Sequence, residues 1–425
     1  MSELGQPEIV GGGLPRRAFR RFFRLIWGDD VDAALRPVLL VGVCGSLAFS
    51  SIWSFVGIWA IKRLGASATE LGVAFLLASV GSVAAGYLGG AISDRIGRKP
   101  VIIVGFGVEA LFLLSLAAVG GRTVLGLALV ALGSAFGSVG GGASQAMVAD
   151  LVPPQRHERA YAAMRVAFNL GITIGPPLGG LLLLGQHWPR LFLGAGALLL
   201  AVLGLAARFL PRRGAYSPEK PPERGSFGVI RRDAPFLLFV LSGGLAYLVY
   251  VAFETVLPIS LVSSHGLSPS AWGFLVIVNP ITVTLFQLRL TRRVERYPAA
   301  PRLVVAMLLM GWPFLLLSLS ASIAVVALLI LVFVIGEMLW VPTSQAIVAG
   351  LAPADLRGAY MGAFGSTSSI GFALAPLLGL QTRAAAGDTA MWTFFAAISV
   401  AAAISGAVAC RFAAGRMAAR AVVSI

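Results

Sequence analysis

Apolar residues run along this chain in blocks of roughly twenty, each closed by a short cluster of charge, glycine or proline. Twelve blocks are read, over residues 37–61, 70–92, 100–119, 123–149, 160–184, 190–210, 235–262, 271–291, 301–320, 322–349, 357–380 and 389–412. A helix rises about 1.5 Å per residue, so each block crosses about 30 Å of hydrocarbon. Soluble helices need a polar face, which these blocks lack. The pattern predicts an all-α polytopic membrane protein with twelve transmembrane helices.

Composition agrees. The 425 residues are 58% hydrophobic and 12% charged, with a mean hydropathy of +0.88. A soluble chain carries about 25% charged residues. The net charge of +15 suggests nucleic acid until its distribution is read. Of 33 Lys and Arg, 27 fall on the side that holds both termini, five on the other, and Arg165 inside the fifth block. Cytoplasmic loops collect Lys and Arg, so both termini are expected in the cytoplasm of a cell with this protein in its inner (plasma) membrane. The basic charge orients the chain and calls for no nucleic acid.

The N-terminal stretch shows no apolar signal region or cleavage site, so removal of a signal peptide is not expected. Residues 15–27, "PRRAFRRFFRLIW", suit an amphipathic helix on phospholipid headgroups. Cys44 and Cys410 lie in distant apolar blocks, and His157, His187 and His265 lack ligand-spaced neighbours, so neither a disulfide framework nor a metal site is expected.

The chain repeats itself. "SQAMVADLVPPQRHERAY" (144–161) matches "SQAIVAGLAPADLRGAY" (344–360) at an offset of 200, closing to 199 past a one-residue gap. Pro176 and Pro376 return to 200, and "SDRIGRKP" (93–100) faces "TRRVERYP" (291–298) at 198. The expected plan is a segment 1–36, a six-helix bundle 37–210, a cytoplasmic linker 211–234 rich in Pro and charge, a second bundle 235–412 and a tail 413–425. Duplicated six-helix halves are the plan of transporters that alternate access around a midplane site.

Two motifs sharpen this. In "GGAISDRIGRKP" (89–100), Gly90 permits close helix approach, Asp94 suits a neighbouring helix N-terminus, and Gly97 suits a tight turn. Arg95, Arg98 and Lys99 supply charge. In "GITIGPPLGG" (171–180), Gly171, Gly175 and Gly179 make a flat face at spacing four, with Gly180 beside it, and Pro176 frees a carbonyl.

Gly90, Asp94, Arg95, Gly97, Arg98 and Lys99 resemble the G-x-x-x-D-R-x-G-R-K signature of the major facilitator superfamily. Gly171, Gly175, Pro176, Gly179 and Gly180 resemble that superfamily's antiporter signature. The resemblance implies twelve helices in two pseudo-symmetric halves, and points to the drug:proton antiporter branch. It implies that Asp94 meets the start of helix 11 and that Arg98 pairs with Asp150, latching the cytoplasmic gate. The second half departs from the pattern: Arg292 stands where Asp is expected and Glu295 where Gly is. Helix 4 also lacks the branch's intramembrane Arg, and helix 1 an acid.

Three acids lie within blocks: Glu109, Glu254 and Glu337. A charge at a helix centre costs about 2.5–3.5 kcal/mol on insertion scales, and protonation relieves it. Such groups suit proton coupling. In this fold helices 1, 4, 7 and 10 are expected to line the cavity, which puts Glu337 first, Glu254 second and Glu109 at the periphery. Arg165 and Asn169, one turn apart, and the aromatics Trp53, Tyr247, Tyr250 and Trp340 complete the expected substrate cavity. For Arg165, snorkelling to the surface or pairing with an acid is expected.

The expected function is a proton-coupled exporter of lipophilic or cationic small molecules. Export of a sugar, amino acid or other metabolite, or translocation of a lipid or glycolipid, stays open. The expected partners are a small-molecule substrate, protons and membrane lipids, with the chain a monomer. No phosphate-binding loop and no nucleophile–base pair is found, so neither a cofactor nor an enzymatic reaction is expected, and the proton gradient is the drive.

Overall fold

The computed structural model describes residues 31–423 except 185–186, 223–224, 268–271, 273–274 and 320–321, together with Phe23, Ile26 and Trp27. Most of the expected amphipathic segment 15–27 lies outside the described residues. The chain is a bundle of twelve helices with no strand among the described residues. They are α1 (Arg36–Lys62), α2 (Ala68–Ile96), α3 (Arg98–Leu116), α4 (Thr123–Gly137, resuming as Val139–Leu151), α5 (His157–Leu182) and α6 (Trp188–Phe209). The second half has α7 (Ala234–Thr255, continued by Leu257–Ser263), α8 (Val278–Val294), α9 (Ala299–Gly311) and α10 (Ile323–Leu351). A last run, Arg357–Val423, is parted at Gly387, where φ is +83°, into α11 and α12.

Local chemistry sets many boundaries. Ser67 and Glu70 form a capping box at the start of α2: Ser67 Oγ accepts from the Glu70 N–H at 3.2 Å, and Glu70 Oε2 accepts from the Ser67 N–H at 2.8 Å. Gly97, with φ at +96°, turns the chain into α3, a conformation costly for any residue with a Cβ. Asp233 caps α7 through the Phe236 N–H at 3.1 Å. The α11–α12 corner is a single glycine, because residues 381–386 contain no helix breaker. Likewise α12 runs to Val423, past the expected end at 412.

Nine runs, the last counting α11 and α12 together, are long and apolar enough to cross a membrane among the described residues. The helices outside that set are α5 and α8. Both carry polar side chains inward: Arg165 and Asn169 on α5, Asn279 and Gln287 on α8. They pack on each other across the two halves, as do α5 with α10 and α2 with α11. Within each half the pairs repeat, α1 with α5 and α7 with α11. The chain is therefore a multi-pass membrane protein of two six-helix halves, and its least apolar helices line the seam.

Candidate functional site

Halfway along α10, Glu337 is completely buried. Its Oε1 forms an ion pair with Arg165 of α5, and its Oε2 accepts from Asn279 Nδ2 of α8 at 2.7 Å. An isolated charge at this depth is costly, and an opposite charge with a hydrogen bond offsets that cost. The pair joins the two halves. Of the two alternatives expected for Arg165, pairing is the one observed.

Just beyond Glu337, Pro342 has no N–H to give the Met338 carbonyl, as a residue four positions on normally does. Gln287 Nε2 of α8 donates to that carbonyl at 2.9 Å. So α8 grips α10 at two successive points. Gln287 has no spacing in the sequence that ties it to α10; the signals it offers are a glutamine inside an apolar block and Pro342 inside another.

Beside this node lies the aromatic group. Tyr247 and Trp340 meet edge to face at 4.8 Å, and Tyr247 and Tyr250 at 6.1 Å. Glu254 lies one turn along α7 from Tyr250, and Arg165 lies within electrostatic reach of Glu254, Tyr247 and Tyr250. Glu254, unlike Glu337, is exposed. Its neighbours are Tyr247 and Tyr250 on its own helix and Arg165 from the other half.

The remaining expected residues lie elsewhere. Trp53 stacks on Phe49 at 5.3 Å and approaches Phe75 at 5.7 Å. It lines a separate cavity of about 460 Å³ with Gly57, Ile58, Ile61 and Lys62, towards the far end of α1. Asn169 is turned back on its own helix, donating to the Arg165 carbonyl at 3.0 Å. Glu109 packs beside Gly137, where α4 breaks, away from the central node.

The helix-5 glycines have one clear steric role. A Cβ at Gly171, Gly175 or Gly179 would overlap Ser46, Ser50 or the Ser51 carbonyl of α1. Ser50 Oγ donates to the Gly171 carbonyl at 3.2 Å. Gly180 is off this seam, with only Phe55 in ordinary contact range. In the repeat, a Cβ at Gly371 would press on Tyr247 of α7, so the α7–α11 pair uses the same device.

On the face that carries the linker, Asp94 accepts from the N–H groups of Gly358 and Ala359, at 2.7 and 2.8 Å, at the start of α11. Those amides have no partner within their own helix, and the helix dipole favours an anion there. Arg98 pairs with Asp94, and its Nε donates to Asp150 Oδ2 at 3.0 Å. Arg357 takes the other Asp150 oxygen at 2.5 Å. The linker adds the Tyr216 N–H, which donates to the Asp150 carbonyl at 2.9 Å. Gly90 and Gly358 touch backbone to backbone, with no room for a Cβ. Arg357, the first residue of α11, is a further member of this cluster that the signature does not contain. Arg95 is exposed on this face, and Gly97 supplies the turn. His157, at the base of α5, is 2% exposed and bonds the Ala149 carbonyl at 3.2 Å. Burial, reinforced by Arg357, pushes His157 down to about 4.

Comparison with known proteins accords with this architecture. Residues 38–376 match the family model described as Major Facilitator Superfamily. The chain is similar to the "Multidrug resistance protein MdtH" of Klebsiella pneumoniae (strain 342), 30% identical over 335 residues, covering 78% of this chain and 81% of the relative. It is 26% identical over 381 residues to a "Na(+), Li(+), K(+)/H(+) antiporter" of Planococcus maritimus, covering 82% and 89%. Its fold matches a crystal structure of a bacterial homologue of the iron transporter ferroportin in an outward-facing state, with a TM-score of 0.68 and 18% identity, over 90% of this chain and all of that one. With its signature residues, its twelve helices and a family match over most of its length, this chain belongs to the Major Facilitator Superfamily.

Proposed function

We propose that this transporter exports lipophilic, mainly cationic small molecules in exchange for protons, with the linker face in the cytoplasm. The observation that carries the reading is the contrast between two carboxylates. Glu337 is sealed by Arg165 and Asn279, whereas Glu254 is exposed, one turn from Tyr250 and close to Tyr247, which in turn meets Trp340. A carboxylate next to aromatic faces binds an organic cation by charge and by cation–π attraction. A proton arriving at the same oxygen displaces that cation. Glu254 is thus the exchanging group, and Glu337 helps hold the two halves together. Glu109 has no part in the exchange.

The names of two relatives, a multidrug resistance protein and a cation/proton antiporter, support this reading. Of the amides a sugar or amino-acid site could use, Asn169 and Asn279 are engaged within the protein, while the side-chain oxygens of Gln145 and Gln287 are buried with no hydrogen-bond partner among the described residues. The basic face and the sealed contacts at Asp94 and Asp150 support a cytoplasmic gate that is closed here.

Purified protein in liposomes, with an imposed pH gradient and a fluorescent lipophilic cation, tests the reading. Movement that follows the gradient in the parent and stops in Glu254→Gln supports it. Movement indifferent to the gradient, or unchanged in Glu254→Gln, refutes it.

A further inference from the structure

The hairpin between α8 and α9 lacks the signature, yet the base of α5 is bound to the second half. Arg159 Nε donates to both oxygens of Glu295, at 2.8 and 2.7 Å. Its neighbour Glu158 pairs with Arg302 of α9 and accepts from Thr343 Oγ1 of α10 at 3.0 Å. Arg302 also donates to Thr343 Oγ1, at 3.2 Å.

The internal repeat gives these contacts a counterpart. With Ala160–Tyr161 aligned on Ala359–Tyr360, Arg159 aligns with Gly358 and Glu158 with Arg357. In the first latch Asp94 of one hairpin binds the Gly358 N–H. At the aligned place in α5 stands Arg159, and the acid facing it from the other hairpin is Glu295. Glu295 aligns with Gly97 and Arg292 with Asp94, so the acid has moved three residues along its hairpin. The Arg159 side chain spans the distance. Arg357 meets Asp150 of α4 across the first interface; across the second, Gly350 stands at the place of Asp150, and Glu158 meets Arg302 of α9 instead.

We propose that Glu158, Arg159, Glu295 and Arg302 form a second latch, made of side chains, in place of the signature missing from the second half. Glu158 and Arg165 lie seven residues apart, two turns along one face of α5. Their α10 partners, Thr343 and Glu337, lie six residues apart. The two helices are therefore joined at two levels roughly 10 Å apart, and both levels must part when the linker face opens. The Glu158 and Arg302 side chains are 14% and 10% exposed, against 43% and 21% for Arg159 and Glu295. Shielded pairs are hurt more by loss of one partner than exposed ones, so Glu158–Arg302 is the principal bond and Arg159–Glu295 the lesser.

The test needs neither substrate nor proton gradient. Nitroxides on exposed Gln155 and Arg293, with Cys44 and Cys410 replaced, report the distance across the seam by pulsed electron paramagnetic resonance. Glu158→Gln and Arg302→Gln are expected to raise the long-distance population about fivefold or more. In the double reversal Glu158→Arg with Arg302→Glu the population is expected to return towards the parent's. Single variants with the parent's distances would overturn the latch. So would a monodisperse double reversal that stays as open as the Gln variants.

Discussion

Arg165 of α5 and Glu337 of α10 form an ion pair across the two halves, with Glu337 wholly inaccessible and Arg165 15% exposed. Removing one member of such a pair leaves the other charge buried without its partner, at a cost of about 3–5 kcal/mol. Replacing both with apolar residues of similar size costs far less. Glu337→Leu is therefore expected to lower the melting temperature in detergent by several degrees, and Arg165→Met with Glu337→Leu to recover most of that loss. Additive losses in the double variant would show that the two residues are not coupled.

Asp94 is bonded to backbone amides, so hydrogen exchange reads its contribution directly. In Asp94→Ala the Gly358 and Ala359 N–H groups lose their acceptors. Exchange in a peptide covering 353–362 is expected to speed up tenfold or more, on the order of the ~1.5–3 kcal/mol carried by a hydrogen bond to a charged group. Asp94→Asn keeps one acceptor oxygen but turns an amide donor towards a backbone donor, so it is expected to fall between parent and Ala. Equal exchange in all three proteins would mean that the start of α11 is held by other contacts.

What was legible in the sequence was what is local or repeated. Helix count followed from block length, and Gly90, Gly97 and Asp94 announced themselves because a tight turn, a close approach and a helix cap each demand a residue type. Pairing across the seam was not legible: Arg165 and Glu337 stand 172 positions apart, and no spacing rule links α5 to α10. Nor does sequence tell which of two intramembrane acids is sealed and which is open. That difference rests on Asn279 and Arg165 converging on Glu337 while Glu254 has Tyr250 on its own helix. Trp53 and Asn169 show the converse error of reading residue type without direction: one faces the crevice between α1 and α2, and the other bonds its own backbone.

The glycines at two seams are expected to fail differently. Gly175 packs on α1 within one half, where a Cβ would overlap Ser50. Gly175→Val is expected to separate α1 from α5, lowering both folded yield and melting temperature. Gly90 faces Gly358 across the halves. Gly90→Val is expected to leave each half folded and to shift the protein away from the closed linker face, seen as faster exchange at residues 353–362. A Gly90→Val protein that unfolds like Gly175→Val would place the α2–α11 crossing in the folding core.

His157 sets an acid limit on the folded state. Its ordinary value is 6.5, and burial beside Arg357 lowers it to about 4. The folded protein therefore holds a neutral imidazole, whose N–H meets the Ala149 carbonyl. Above about pH 6.5 neither state binds the proton, so the folded state carries no penalty there. As pH falls from 6.5 towards 4, the unfolded chain takes up the proton first and stability drops, with the full loss reached below about pH 4. The melting temperature of the parent is expected to decline through this window. His157→Asn removes the titration while keeping a donor, so its decline is expected to be shallower by an amount on the order of 3 kcal/mol at the acid end. Parallel melting curves across pH 4–6.5 would assign the acid sensitivity to other groups.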